Sequence, residues 1–550
     1  MHISRILFFG AMLAACFLPA PAGAQAPASL QWGPDYNEPN NTVATKIVGI
    51  VPEGFYLLRR RVSSNANARP RAWVEFFTKD MKLQRSEEME LKYKGKQRDF
   101  EEVLLLGGRM YLLTSFHNTA RKRNYLFKQE LSMKTLAPSK NLDMICENEA
   151  RNIEAKGKFA FHISSDSTKL LVYNELPFEK KNPKRFGFRV FDQNFDLLWE
   201  KNIVMPYPDN QFTVEDYRVD DEGNVYLLGV LYEDEVKWRR RGKPTYKYLI
   251  IAYTEQGNDV EEYRIDGENR FITDLTFRPA KNGTLVCAGF YSERGTYSVK
   301  GATYFRLDTK TRRFYDWNYQ PFTFDFLTEF MSEKNKTKAK EAEVNNDVRR
   351  AAELYDYSLD ELILRSDGGA VLVAEQFFIE QDVYRDYPMG FYPWGFYDPF
   401  FYNRYGRVQT DYWFHYNDII VVNIRPTGEI EWAARIPKRQ ETRNDGGYNS
   451  SYAMSIVRDK LFFIFNDNMK NHTGPSGQRP SRYYSYGGGE GMLVLAQVNK
   501  DGEVSTYPMS SNRDAGVIVR PKMSKQIGRR EMAVFGERGR SFRAASLNFD

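Results

Sequence analysis

The chain is poor in the residues that most often announce chemistry. It carries three cysteines and five histidines in 550 residues. That count excludes a small disulfide-dense scaffold. No HExxH pair and no Cys/His cluster occurs, so no compact zinc motif is present. There is no G-x-S-x-G elbow, no P-loop, no strand-to-helix G-x-G-x-x-G and no EF-hand loop. Past residue 24 no run reaches the ~20 apolar residues of a membrane helix. The net charge of +6 is modest for this length and does not mark a nucleic-acid binder. No cofactor is implied. Aromatics, in contrast, make up 15% of the chain, led by Phe and Tyr, and these favour strands over helices.

Residues 1–24 read as an export signal. Arg5 supplies the basic end, residues 6–18 the apolar stretch, and Ala22-Gly23-Ala24 the cleavage site. A second reading takes Leu13-Ala14-Ala15-Cys16 as a lipobox, which makes Cys16 the lipidated first residue and the protein an outer-membrane lipoprotein. Either way the expected location is periplasmic or extracellular. Residues 25–550 then form one domain. Its two cysteines, Cys146 and Cys287, could pair in an oxidising compartment, but nothing in their spacing demands it, and Cys287, in the apolar strand Leu285-Val286-Cys287, reads as a buried free thiol.

Internal repetition is the most informative feature. A short apolar strand follows a tight turn eight times: GFYLLRR from Gly54, RMYLLTSF from Arg109, KLLVYNEL from Lys169, NVYLLGVLY from Asn224, TLVCAGFY from Thr284, AVLVAEQFF from Ala370, KLFFIFND from Lys460 and EMAVFGER from Glu531. The first five starts lie 55 to 60 residues apart, and each later, longer gap holds a visible insertion. Every module reads as four strands, A to D, joined by turns such as DDEGN, TEQGND, RPTGE and NKDGE. Four-stranded sheets in a row leave one-sided cores, and a radial arrangement buries both faces of each. The expected fold is all-β: one β-propeller of about eight four-stranded blades, with seven as the alternative. The last module ends after its third strand, so the stretch near Ser29 to Trp32 is expected to supply the fourth and close the ring. Residues 324–356 read as one helical insertion, a solvated flank.

The resemblance to β-propellers covers nearly the whole chain after residue 24. It rests on this period, since no WD dipeptide, kelch glycine pair or Asp-box recurs. The segments GGAVLVAEQFF, YNDIIVVNI and KLFFIFNDN are also similar to those of exported, propeller-like Bacteroidota proteins. That likeness implies a cell-envelope setting and brings no catalytic residues with it.

Strand alternation puts the B–C hairpins and D–A connections on one face of such a ring and the A–B and C–D turns on the other. The B–C hairpins are strongly basic. Residues 59–71 hold five arginines and no acid, and residues 121–123 and 239–241 are runs of three bases each. A surface of this kind attracts polyanions, less so as salt rises. The sixth B–C hairpin, residues 384–408, is instead aromatic, with eleven of the 22 residues from Tyr384 to Tyr405 being Phe, Tyr or Trp. Repeated Gly and Pro exclude a spanning helix there. The binding candidates are Arg59, Arg60, Arg61, Arg121, Lys122, Arg123, Arg239, Arg240, Arg241, Tyr392, Trp394, Phe396 and Tyr397. Arginines would pair with anionic groups and aromatics would stack on sugar or side-chain faces. The expected partner is an envelope protein or an anionic glycan such as lipopolysaccharide, and not nucleic acid.

Two other readings remain open. Carboxylates end several B strands: Glu175, Glu233, Asp234, Glu375 and Asp467. Two of them facing each other ~5 to 10 Å apart would make a polysaccharide hydrolase or lyase. The third reading is an accessory subunit of an outer-membrane assembly.

Overall fold

The computed structural model describes residues 26–61, 70–177, 179, 181–233, 239–240, 243–385, 408–473, 479–484 and 490–550. Their strands pair into eight antiparallel sheets of four principal strands. Blade 1 takes strands A to D from Thr42–Val51, Gly54–Arg61, Ala72–Thr78 and Leu83–Glu88. Blades 2 to 7 repeat the order, with A strands at Asp99–Leu106, Lys158–Ile163, Phe212–Val219, Phe271–Pro279, Tyr357–Leu364 and Ala453–Val457. Blade 8 has a broken A strand, Ile518–Val519 and Lys525–Gly528, then Glu531–Arg538 and Ser541–Phe549. Its fourth strand is N-terminal: Ala28–Trp32 runs antiparallel to Ser541–Phe549, with Ala28 opposite Phe549 and Trp32 opposite Ala545. The ring closes as expected, and seven blades are excluded.

Packing confirms the count. Buried side chains fall into eight clusters, and each joins two neighbouring blades. Strand B of blade 5 shows why. Leu285 and Cys287 turn to the blade 4 side, while Val286, Ala288 and Phe290 turn to the blade 6 side. A period of two with apolar residues on both faces suits only a sheet sandwiched between two others. The last cluster joins Phe55, Leu57 and Phe77 of blade 1 to Phe535 and Phe542 of blade 8. Cys146 and Cys287 are buried and unpaired.

Turn chemistry sets the hairpins. In DDEGN, SDGG, RPTGE and NKDGE the glycines Gly223, Gly368, Gly428 and Gly502 all adopt φ between 83° and 91°, which side chains with a Cβ rarely take. The preceding Asp220 and Asn499 each accept two backbone N–H groups of their own turn.

The helical insertion differs from its expectation. It forms two helices, α1 (Phe324–Thr328) and α2 (Glu333–Val344). The run of helix formers continues to Ala352, but the helix ends at Asn345, and Asn346 turns left-handed at φ 53°. Arg294 of blade 5 then donates to the carbonyls of Val348 and Ala351 and draws that stretch onto the ring. Nor is it solvated all round: Leu327, Ala339, Ala352 and Leu354 are buried against blades 5 and 6.

The A strands carry a recurrent bulge. Register shifts leave Thr45, Glu101, Glu215, Thr273 and Asp360 unpaired in blades 1, 2, 4, 5 and 6. A bulge re-aims side chains, and beside the one in blade 5 Asp274 reaches the next blade, accepting the Leu359 N–H at 2.8 Å. Burial outweighs that bond and pushes the Asp274 carboxyl up to about 6. A carboxyl raised in the folded chain takes up a proton on folding. Its contribution to stability is therefore fully present below about pH 4 and is lost as pH rises through about 6. Asp274→Asn keeps an acceptor for Leu359 and removes the titration. It is expected to flatten the fall in stability between about pH 4 and pH 7 by about 1–3 kcal/mol, read by urea denaturation.

Candidate functional site

The B–C face sorts the predicted basic residues into different roles. Arg59 is not on the surface. It is fully buried, its Nε 2.9 Å from Glu75 and its Nη1 2.5 Å from Glu38, with its guanidinium 4.6 Å from the centre of the Phe542 ring. It ties blade 1 to the closing arm and to blade 8. Sequence counting missed this because Arg59, at the end of strand B, continues the inward phase of the strand while Arg60 and Arg61 leave it. Arg60 and Arg61 are exposed, and Arg60 lies over the Phe100 ring at 4.9 Å. Arg239 and Arg240 form a two-residue strand opposite Pro244 and Lys243. Arg241 and the aromatic residues Tyr392, Trp394, Phe396 and Tyr397 lie outside the described residues.

What precedes the aromatic hairpin is itself unusual. Strands B and C of blade 6, Ala370–Arg385 and Val408–Ile424, pair along their whole length up to Arg385 and Val408, with one register shift between Glu375 and Phe377. Strand D, Ile430–Arg443, follows them to Trp413, and Tyr483–Tyr484 adds a parallel edge. The strand therefore starts ten residues before the expected Asp418. The ribbon exposes Ile379 and Tyr412, with His415 stacked on Phe378 at 4.4 Å.

The second basic hairpin builds a cleft. Arg121, Lys122 and Arg123 stand at the B–C turn of blade 2, with Lys122 held left-handed at φ 50°. Across from them lie Pro183 and Arg185 of blade 3, and between the two blades opens a cavity of about 540 Å³. Arg151, from the D–A connection, completes it. The lining holds five cations and two carboxylates, Glu149 and Glu179. The carboxylates are shared: Glu149 is 4.0 Å from Arg123 and 3.6 Å from Arg185, while Glu179 pairs with Arg151 and lies 3.7 Å from Arg185. The Asn182 amide, then Arg151 and Arg185, hold the Glu179 carboxyl below its usual range. Arg121 and Lys122 have no carboxylate partner among the described residues. Arg151 was invisible to hairpin counting, because only the ring brings a D–A connection beside the next hairpin.

The carboxylates at the B-strand ends serve packing. Lys438, buried, puts Nζ 2.6 Å from Glu375, whose other oxygen accepts from Ser451 at 2.6 Å. Gln440 and Asn466 carry the network on to the Val519 carbonyl of blade 8. Asp467 is held by Asn471 and by His472 at 2.9 Å, and Glu175 by Lys184 at 2.5 Å. Glu233 is exposed, and Asp234 lies outside the described residues. Among the described residues, none of the five lines the blade 2–3 cleft. Glu175, Glu375 and Asp467 are thus each held by a donor of the fold.

Histidines are dispersed as well. His162 faces donors on both nitrogens, Arg218 at 3.2 Å and the Val219 N–H at 3.3 Å. Burial, then Arg218 and Arg278, push its pKa down to about 4. Among the described residues no three His, Cys, Asp or Glu side chains gather as a metal site. No helix of the described residues is long and apolar enough to cross a membrane.

No known family's profile matches the chain, and no curated protein matches it. Solved structures do. The WD40 domain of SCAP from fission yeast aligns over 95% of both chains at 8% identity and a TM-score of 0.37. An α-L-arabinanase from Penicillium chrysogenum covers 63% of this chain and 92% of its own, at 11% identity and a TM-score of 0.30. A Synechocystis apocarotenoid oxygenase covers 90% and 92%, at 9% identity and a TM-score of 0.31. The assignment of eight blades rests on the strand pairing itself.

Proposed function

We propose that this propeller is an exported recognition or scaffold module of the cell envelope, which holds an anionic partner on its B–C face. The observation that carries the reading is the blade 2–3 cleft, where five cations meet two carboxylates and Arg121 and Lys122 are left over. Guanidinium forks suit carboxylate, sulfate and phosphate groups alike. An acidic glycan, a phosphate-bearing lipopolysaccharide or an acidic protein surface meets that description. The export-like residues 1–24 support the envelope setting, and membership of an outer-membrane assembly is the partner-bound form of the same reading.

Cross-linked capture from envelopes, paired with a glycan array, tests it. The wild-type chain is expected to retain an anionic partner at low salt. The variant R121Q/K122Q/R123Q is expected to lose about tenfold or more in affinity while melting like wild type. Equal capture by both proteins would sink the proposal. Co-purification with a fixed set of proteins and no glycan signal would place the chain in an assembly.

A further inference from the structure

A second pocket lies on the same face over blade 6, where the helical insertion folds across the sheet. Its volume is about 260 Å³. One wall is apolar and comes from the insertion: Leu327, Phe330, Met331 and Leu354. The other is polar and comes from blade 6 and the blade 7 B–C connection, including Asn417, Arg435, Arg439 and Arg479.

The cations of the polar wall are not equivalent. The Arg435 guanidinium lies 4.8 Å from the Phe326 ring centre and 5.2 Å from that of Phe330, and it donates to the Phe326 carbonyl at 2.7 Å. Lys438 has an acceptor for each of its three N–H groups, in Glu375, Gln440 and the Tyr416 carbonyl. Both are committed to the fold. Arg439 and Arg479 have no carboxylate partner among the described residues. Arg482 beside them is balanced by Glu441 at 3.1 Å. The pocket's own carboxylates are also occupied. Asp418 accepts the Lys438 N–H at 3.1 Å and lies 4.0 Å from Arg435, and Glu353 accepts from Ser292 and the Glu293 N–H. Two unmatched guanidinium groups therefore border an apolar wall. Burial, then the nearness of Arg479 and Arg482, lowers the pKa of Arg439, and Glu441 offsets this only in part.

We propose that this pocket binds a single acidic sugar, a pyranose bearing a carboxylate or phosphate. Its charge would sit on Arg439 and Arg479 and its apolar ring face on Phe330 and Met331. A bare inorganic anion leaves the apolar wall unused. A long acyl chain needs more depth, since the volume falls below the ~300–1,000 Å³ of drug-sized sites. A ring with one apolar face and one charged edge matches two walls of opposite character. The site is separate from the blade 2–3 cleft and stands whether or not that cleft binds a polyanion.

Calorimetric titration of the full chain tests it, with D-glucuronate and glucose 6-phosphate as probes and glucose and inorganic phosphate as controls. Wild type is expected to bind at least one acidic sugar, and which of the two binds tells carboxylate from phosphate. R439Q/R479Q is expected to lose about tenfold or more and F330A severalfold, each with a melting curve showing a folded chain. No binding of either acidic sugar to wild type, or unchanged binding by R439Q/R479Q, overturns the proposal. Inorganic phosphate or glucose binding as tightly as the acidic sugar overturns it too.

Discussion

Replacing Arg59 by alanine is expected to cost about 3–5 kcal/mol of stability and to leave anion binding by the B–C face unchanged. Arg59 and Glu75 are both enclosed, and Glu38 shares the guanidinium. Removing one member of a buried pair strands the other charge where water cannot reach it, and that desolvation dominates the cost. The aromatic contact with Phe542 goes as well, so blade 8 loses its grip on blade 1. R59M/E75Q removes both charges together and is expected to recover part of the loss. The measurement is denaturant unfolding of the three proteins beside a binding assay. An R59A chain as stable as wild type, with weakened anion binding, would make Arg59 a surface contact and the account of its burial wrong.

The second large effect concerns ring closure. Deleting residues 1–34 takes away the strand Ala28–Trp32 and leaves Ser541–Phe549 with an unpaired edge. Ala28 is buried between blades 7 and 8, with Leu30 and Trp32 packed beside it, so their removal opens that cluster to water. An open edge beside an open apolar face is a template for another chain. The expected product keeps most of its strand content but self-associates, with roughly a doubling or more of apparent mass by light scattering. A monomeric deletion product that melts with wild type would show that the ring does not depend on this strand.

Much of this architecture was legible because it is written locally. Glycine at a fixed place in DDEGN, SDGG, RPTGE and NKDGE dictates a positive φ, and the strands that follow alternate with a period of two. Ring closure was legible from a missing strand at one end and an orphan strand at the other. What sequence reading could not see is set by three-dimensional neighbours. Arg59, Arg60 and Arg61 are one charged run in the sequence, yet the first is enclosed by Glu75, Glu38 and Phe542 while the other two stand exposed at the end of the strand. Glu375 looked like a candidate acid at a strand end, but its counter-ion Lys438 is 63 residues away. Helix-forming residues past Val344 gave way to contacts from Arg294, which no local pattern encodes.

The most direct test of the central claim is a salt titration of polyanion binding to the blade 2–3 cleft. A fluorescent acidic oligosaccharide would be titrated with wild type and with R121Q/K122Q/R123Q from about 50 to 200 mM salt, a range over which screening tightens to the ~8 Å scale and below. The account predicts that wild-type affinity falls steeply with salt, and that the variant binds more weakly with a log–log slope smaller by about two to three. Identical affinity and slope in the two proteins would contradict it.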